Sequence, residues 1–279
     1  MALDIQTIVS KENQYIKLAR YLHQKRGREE KNLFLLEGKT LVEEAHKKDI
    51  KIPFLFIRDL ESLKEIPRQI NTQVFELPED LMARIATTEN PPPVIAIAEM
   101  PKFEDPLEQQ QLSLLSETIE VKKTTNTYLY CENITDPGNL GSIIRTAFAA
   151  GVKSIYLSPG SVDVFNTKVL RASVGTAFYG PIKYLGLEEL KAKIQNETKA
   201  KAMSLEIVGT CPRSDKAYQD LQFSPFKDVL ILIGNETRGL SDQAKELCTQ
   251  LISIPLENGV ESLNILAATS VILFGLKAR

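Results

Sequence analysis

Short apolar runs recur along the chain, each followed by a turn and then by a stretch whose apolar positions fall at helical spacing. Residues 33–37, 54–57, 73–77 and 94–99 read as strands, with helical patterns over 39–48, 60–66 and 79–86 between them. Ahead of these, Ile16, Ala19 and Leu22 mark one short amphipathic helix. The first hundred residues therefore predict a small three-layer α/β domain. A second series starts with a strand at 128–131 and continues through a helix at 140–150, strands at 154–157, 181–184 and 206–209, and a helix at 187–195. It ends in two strand-loop-helix units whose strands are 229–233 and 251–254, the last helix running over 263–276. Repeated alternation of β and α predicts a mostly parallel sheet covered on both faces. Between the two series, Pro101, Pro106 and a glutamine run mark a linker with helical potential around 107–115. The expected division is 1–100, 101–126 and 127–279.

Length agrees with this division, since 279 residues supply about two ordinary cores. The net charge of −2 excludes a general cationic coat, so any contact with nucleic acid must come from a local patch. Lys17, Arg20, Lys25, Arg26 and Arg28 form the densest candidate. Both a solvated helix end and an RNA phosphate contact fit that run. Cys131, Cys211 and Cys248 are widely separated, which suits a reducing compartment and core packing and gives no zinc spacing. No metal site is expected. No apolar run reaches the length needed to cross a bilayer, and the first residues lack a secretory pattern, so the expectation is a cytoplasmic protein with no membrane partner.

Several chemistries fall away. His23 and His46 are the only histidines, both lie in the first fifth of the chain, and no G-x-S-x-G elbow is present, which argues against a hydrolase. Neither G-x-x-x-x-G-K-[ST] nor G-x-G-x-x-G follows a strand, so nucleotide hydrolysis and ordinary dinucleotide binding lose weight. What remains is three loops at strand ends, NITDPGNLGSIIR from Asn133, GNETRG from Gly234 and IPLENGVESLN from Ile254. Open α/β sheets bind ligands at that edge, so the three loops are expected to build one site. Its most obvious ionisable groups are Arg145, Glu236 and Glu261 amid glycine and asparagine. Such a site suits a neutral or zwitterionic ligand held by main-chain groups, with one arginine left for an anion such as RNA phosphate.

At these residues the sequence resembles the SpoU/TrmH RNA 2′-O-ribose methyltransferases. Asn139, Gly141 and Arg145, then Gly234, Asn235, Glu236 and Gly239, then Ile254, Pro255, Glu261, Ser262, Leu263 and Asn264 are similar to that family's three motifs in order and spacing. Residues 165–175, with Lys168, Arg171 and Ser173, resemble its intermediate segment, and the first hundred residues resemble the RNA-substrate-binding domain that many members carry. The resemblance implies a C-terminal α/β domain with a deep trefoil knot, a bound S-adenosylmethionine and a homodimer. It implies a catalytic centre of Asn139, Arg145, Glu236, Ser262 and Asn264. It implies cofactor contacts from Gly234, Asn235, Ile254, Leu256, Leu263 and Asn264, and RNA contacts from Arg28, Lys168 and Arg171. Ribosomal RNA is the first expected substrate, with transfer RNA, or an RNA-binding module without activity, as the rival.

The chemistry implied is attack of a ribose 2′-hydroxyl on a sulfonium methyl. Alignment of the reactants can supply an effective molarity of roughly 10⁵ M or more, and proton removal a further ~10²–10⁴-fold. A guanidinium, with a pKa above about 12 as a class, is a poor base, so Arg145 is expected to bind ribose or phosphate and assist proton loss. Plainer roles compete. Asn139 and Asn264 are good helix caps, Glu236 and Arg238 could form an exposed ion pair, and Lys168 and Arg171 could be surface charge. The resemblance favours a buried Glu236. Phe148, Thr237 and the run Pro91, Pro92, Pro93 depart from common members and leave the RNA target open.

Overall fold

The structure is a computed structural model that describes residues 5–64, 66–67, 69, 71–103, 126–199, 205–221 and 228–277. The chain divides into two compact units, one made of Met1–Lys102 with Asp163–Tyr179 and the other of Phe103–Val162 with Gly180–Arg279.

The first unit holds strands β1 (Ile5–Thr7), β2 (Leu33–Glu37), β3 (Phe54–Ile57), β4 (Gln73–Glu76) and β5 (Val94–Glu99) in the order β1-β4-β3-β5-β2. The sheet is mixed: β4 runs parallel to β1 and β3, whereas β5 is antiparallel to β2 and β3. Alternation along each strand decides what each face meets. Leu35, Phe56, Phe75, Ile95 and Ile97 pack with Ile16, Ala19 and Leu22 of and beside helix α1 (Gln14–Tyr21), and with Leu81, Met82 and Ile85 of α4 (Glu79–Ile85). On the opposite face, Phe34 meets the rings of Phe165 and Phe178 at 4.8 and 5.7 Å between centroids. Helix α3 (Lys39–Lys47) packs against β2 and β5. Helices on both faces give the expected three layers, with one layer completed by residues from the second half of the sequence.

Several expectations need correction. The first described element is strand β1, ahead of the expected helix and not marked by the apolar pattern. The cationic run becomes a second helix, α2 (Lys25–Lys31), ended by Asn32 in the left-handed conformation at φ 53°. Among the described residues between β3 and β4, only a single 3-10 turn, Glu61–Leu63, forms where a helix was expected over 60–66. The expected helical turn around 107–115 lies outside the described residues.

The second unit contains β6 (Thr127–Cys131), β7 (Ser154–Leu157), β8 (Ile182–Tyr184), β9 (Leu205–Thr210), β10 (Asp228–Ile233) and β11 (Gln250–Ile252) in the order β11-β9-β10-β6-β7-β8. All five pairings are parallel. Parallel strands buried on both faces read as continuous apolar runs, which β6, β7 and β10 do. Tyr128, Tyr130, Tyr156, Leu230 and Leu232 share a cluster with Leu190 of α7 (Leu187–Lys199) and Ala244 of α8 (Asp242–Leu247). Helix α5 (Pro137–Ala149) packs with the last helix, α9 (Ile265–Lys277). The remaining helix, α6 (Thr167–Ser173), sits in the first unit, capped by the Asn166 side chain. Strand β11 stops at Ile252, so Ile254 lies in the following loop rather than in the sheet.

Candidate active site

Central strands β6 and β10 pair so that Cys131 lies opposite Ile233, and their loops therefore leave the sheet side by side. The Glu132 N–H donates to the Ile233 carbonyl at 2.8 Å and carries the pairing one residue further. Next, Asn133 takes a left-handed turn at φ 54°, fixed by its N–H to Ser158 Oγ at 2.7 Å. Helix α5 then starts at Pro137, where a missing N–H costs nothing, with Asp136 as its cap: Asp136 Oδ1 accepts from the Asn139 N–H at 2.7 Å. Capping is thus done by Asp136, and the Asn139 side chain is free for another partner.

That partner is Glu236. Asn139 Nδ2 donates to Glu236 Oε1 at 3.0 Å, and Asn264 Nδ2 donates to Asn139 Oδ1 at 3.4 Å. Asn264 also caps α9, its Oδ1 accepting from the Leu266 N–H at 2.9 Å. A single row of polar contacts therefore joins one residue from each of the three loops. Asn235 braces it: Nδ2 donates to the Asn133 carbonyl at 2.9 Å and to Glu236 Oε2 at 3.3 Å, while Oδ1 accepts from the Thr237 and Arg238 N–H groups. The loop closes on itself through reciprocal Asn235 and Gly239 main-chain bonds at 3.1 and 2.9 Å. Gly234 permits this closure, since a Cβ there would lie 2.0 Å from the Gly239 carbonyl carbon.

Glu236 is exposed, not buried, and makes no ion pair with Arg238 among the described residues. The neighbouring carboxylate is the buried one. Glu132, 7% exposed, accepts from the Ser241 hydroxyl at 2.7 Å and the Ser241 N–H at 2.8 Å, tying the end of β6 to the cap of α8. Beneath the loops, burial pushes the Cys131 thiol well up from its ordinary value and the Tyr130 hydroxyl up to about 12, the latter with help from the Glu132 and Cys131 charges.

The remaining expected residues fall into three groups. Ile254 and Leu256 are half-buried and Ser262 and Leu263 exposed, and the main-chain N–H groups of Ile254, Leu256 and Leu263 make no hydrogen bond to other described residues. Arg145 is exposed on α5; six residues from Asn139, it points about 120° around the helix from it and makes no bond to the Asn139 network. The RNA-contact expectations belong to the first unit. Lys168 is exposed there, whereas Arg171 donates to Glu37 Oε2 at 2.8 Å and to Thr87 Oγ1 at 2.9 Å. Arg28 is not an RNA contact: it is 3% exposed, its Nε donates to Asp163 Oδ2 at 2.7 Å, and its Nη1 donates to the Leu22 and His23 carbonyls. With those donors spent inside the protein, no phosphate can reach it.

Residues that sequence reasoning passed over are Glu132, Asn133, Asp136 and Ser241. Asp136 was legible, because an acidic residue just before a proline at a helix start is a cap signature. Glu132 and Ser241 lie far apart in sequence and gave no local signal. Among the described residues no group of three or more His, Cys, Asp or Glu is placed to hold a metal ion, and no described helix is long and apolar enough to cross a membrane.

A model of the SpoU rRNA Methylase family matches residues 126–274, and one of the MRM3-like substrate binding domain matches residues 13–96. The chain is 30% identical over 272 residues to the 23S rRNA (guanosine(2553)-2'-O)-methyltransferase RlmP of Bacillus subtilis, covering 97% of this chain and 98% of that protein. To the 23S rRNA (uridine(2479)-2'-O)-methyltransferase of Streptomyces viridochromogenes it is 32% identical over 213 residues, covering 76% and 69%. The crystal structure of an AdoMet-bound rRNA methyltransferase from Sinorhizobium meliloti aligns over 98% of both chains with a TM-score of 0.80 and 29% identity. On this match, which spans more than half its length, the chain belongs to the SpoU rRNA methylase family.

Proposed function

We propose that this protein transfers the methyl group of S-adenosylmethionine to a ribose 2′-hydroxyl of ribosomal RNA. The observation that carries this reading is the row Glu236, Asn139, Asn264, which ties the three motif loops together at the ligand-binding edge of a parallel sheet. The relatives' names supply the reaction and the RNA class.

The chain's residues fit the cofactor. Gly234 and the unpaired N–H groups of Ile254, Leu256 and Leu263 offer main-chain donors, and the half-buried Ile254 and Leu256 side chains offer an apolar wall. When bound, S-adenosylmethionine supplies a methyl group on a positively charged sulfur. Asn139 and Asn264 present amides whose orientation Glu236 and the α9 cap fix, so the site is set before the RNA arrives and its alignment needs no rearrangement. Arg145, exposed and free of the network, holds the RNA ribose or phosphate and assists loss of the hydroxyl proton. Ser262 contributes from the third loop, and Lys168 contributes a phosphate contact.

Finer features follow from the same reading. Residues 1–100, together with Asp163–Tyr179 of the same compact unit, serve as the RNA-binding domain, 101–126 as linker and the rest of 127–279 as the catalytic domain. The same reading includes a trefoil knot in the catalytic domain. Exposed Val260 (53%) and Phe274 (46%) support a homodimer that covers them. The protein acts in the cytoplasm. Incubation with labelled S-adenosylmethionine and ribosomal RNA, followed by nuclease digestion and mass spectrometry, is expected to place label on a ribose; label on a base, or on no nucleoside, overturns the proposal.

A further inference from the structure

A cavity of about 580 Å³ opens beside the Asn235–Gly239 loop, lined by Glu132, Asn133, Thr135, Gly160, Thr237 and Arg238. Its volume falls in the range that takes small ligands, on the order of 300–1,000 Å³. Its walls are fixed by bonds already inside the protein. Asn133 Oδ1 accepts from Ser158 Oγ at 3.1 Å, the Ile134 N–H donates to Ser161 Oγ at 3.2 Å, and Glu132 is held by Ser241. Gly160 is bare for a reason: a Cβ there would lie 2.3 Å from Asn133 Oδ1, so any side chain would displace the asparagine from the wall.

The groups not spent on the walls are the informative ones. The Arg238 guanidinium and the Thr135 and Thr237 hydroxyls make no hydrogen bond or ion pair with other described residues, and all three are exposed. One permanent cation beside two hydroxyls and an asparagine amide matches a phosphodiester together with a sugar or base edge. A purely apolar ligand would leave these groups unpaired, and a dianionic one would find a single cation and face the Glu132 carboxylate.

Position narrows the assignment. Arg238 and Glu236 are two residues apart in one loop that Asn235 holds rigid, so whatever meets Arg238 is set at a fixed offset from the Glu236–Asn139 pair. We propose that this cavity seats the nucleotide next to the one whose ribose is methylated, with Arg238 pairing its phosphate. The inference rests on the proposed function and extends it to a second subsite that fixes which ribose is presented.

The test uses the full chain. Arg238→Ala, Arg238→Lys and the cavity-filling Thr135→Trp are assayed for KM and kcat with ribosomal RNA, for S-adenosylmethionine affinity by calorimetry, and for RNA binding by fluorescence anisotropy across a salt series. Arg238→Ala is expected to raise the RNA KM about tenfold, with the loss falling on KM rather than kcat, and to lower the slope of log K against log salt by about 0.7–1, the amount expected for one phosphate contact. Arg238→Lys restores most of the slope, and Thr135→Trp raises KM with the slope of the wild type. An Arg238→Ala protein with wild-type KM and salt slope overturns the inference. A wild-type protein that binds RNA with an Arg238-dependent slope yet transfers no methyl overturns the proposed function instead.

Discussion

Two polar networks in this molecule use similar side chains to opposite ends. In the first unit, Arg28 is buried against Asp163, and Arg171 reaches Glu37, whose side chain is 1% exposed. There the opposite charges offset each other's desolvation, and two main-chain carbonyls complete the Arg28 donors. In the second unit, the row from Glu236 through Asn139 to Asn264 is open to solvent, and its bonds are longer. Groups already saturated and buried can only hold the fold. Groups partly bonded, oriented and at least partly open to solvent keep capacity for a ligand, which separates Arg28 from Asn139 where residue type alone does not.

The contrast can be broken by substitution. Arg145→Ala and Glu236→Ala are expected to give the largest effects, a fall in methyl transfer of about 10²–10³-fold or more, with S-adenosylmethionine affinity nearly intact for Arg145→Ala and melting temperatures close to wild type for both. Radiolabel transfer and calorimetry check this; a large loss of stability in Glu236→Ala would place that carboxylate with the structural network. Asp163→Asn should do the reverse, costing about 3–5 kcal/mol in denaturant unfolding because it leaves the Arg28 charge buried and unpaired. Preserved stability there would remove the distinction.

Asn264→Ala probes a residue that serves both purposes. Loss of the α9 cap should cost about 1 kcal/mol, and methyl transfer should fall by far more than that stability change explains. Asn264→Ser, which can still cap, should recover the stability and not the rate. The smallest effect concerns thiols. Burial holds the Cys131 thiol far above its usual pKa and pushes Cys248 up to about 12, so at pH 8 both stay protonated. Disulfide-exchange labelling of the native protein should therefore leave both unreacted until denaturant is added, and rapid native labelling of Cys131 would contradict its enclosure beneath the loops.

Much of this was legible in the sequence because the second sheet is parallel and buried on both faces. Continuous apolar runs marked β6, β7 and β10 nearly to the residue, and the loops after β6 and β10 contained the residues that the structure brings together. The first sheet was harder. Apolar alternation locates a strand without fixing the direction of its neighbour, so the antiparallel pairing of β5 was invisible. Arg28 was misread for a related reason: a dense run of Lys and Arg suggests a solvated face, and only tertiary structure brings Asp163 beside one member of it. The buried position expected for Glu236 belongs in fact to Glu132, whose partner Ser241 lies 109 positions away.

The stretch Asp163–Tyr179 belongs to the compact unit of the first hundred residues, although it falls within the 126–274 span matched to the methylase family. A fragment cut to that span would expose Phe165 and Phe178 without Phe34, and Asp163 and Arg171 without Arg28 and Glu37. Chimaeras that exchange the first unit between relatives should therefore carry this insert along with it, making three splice points rather than one.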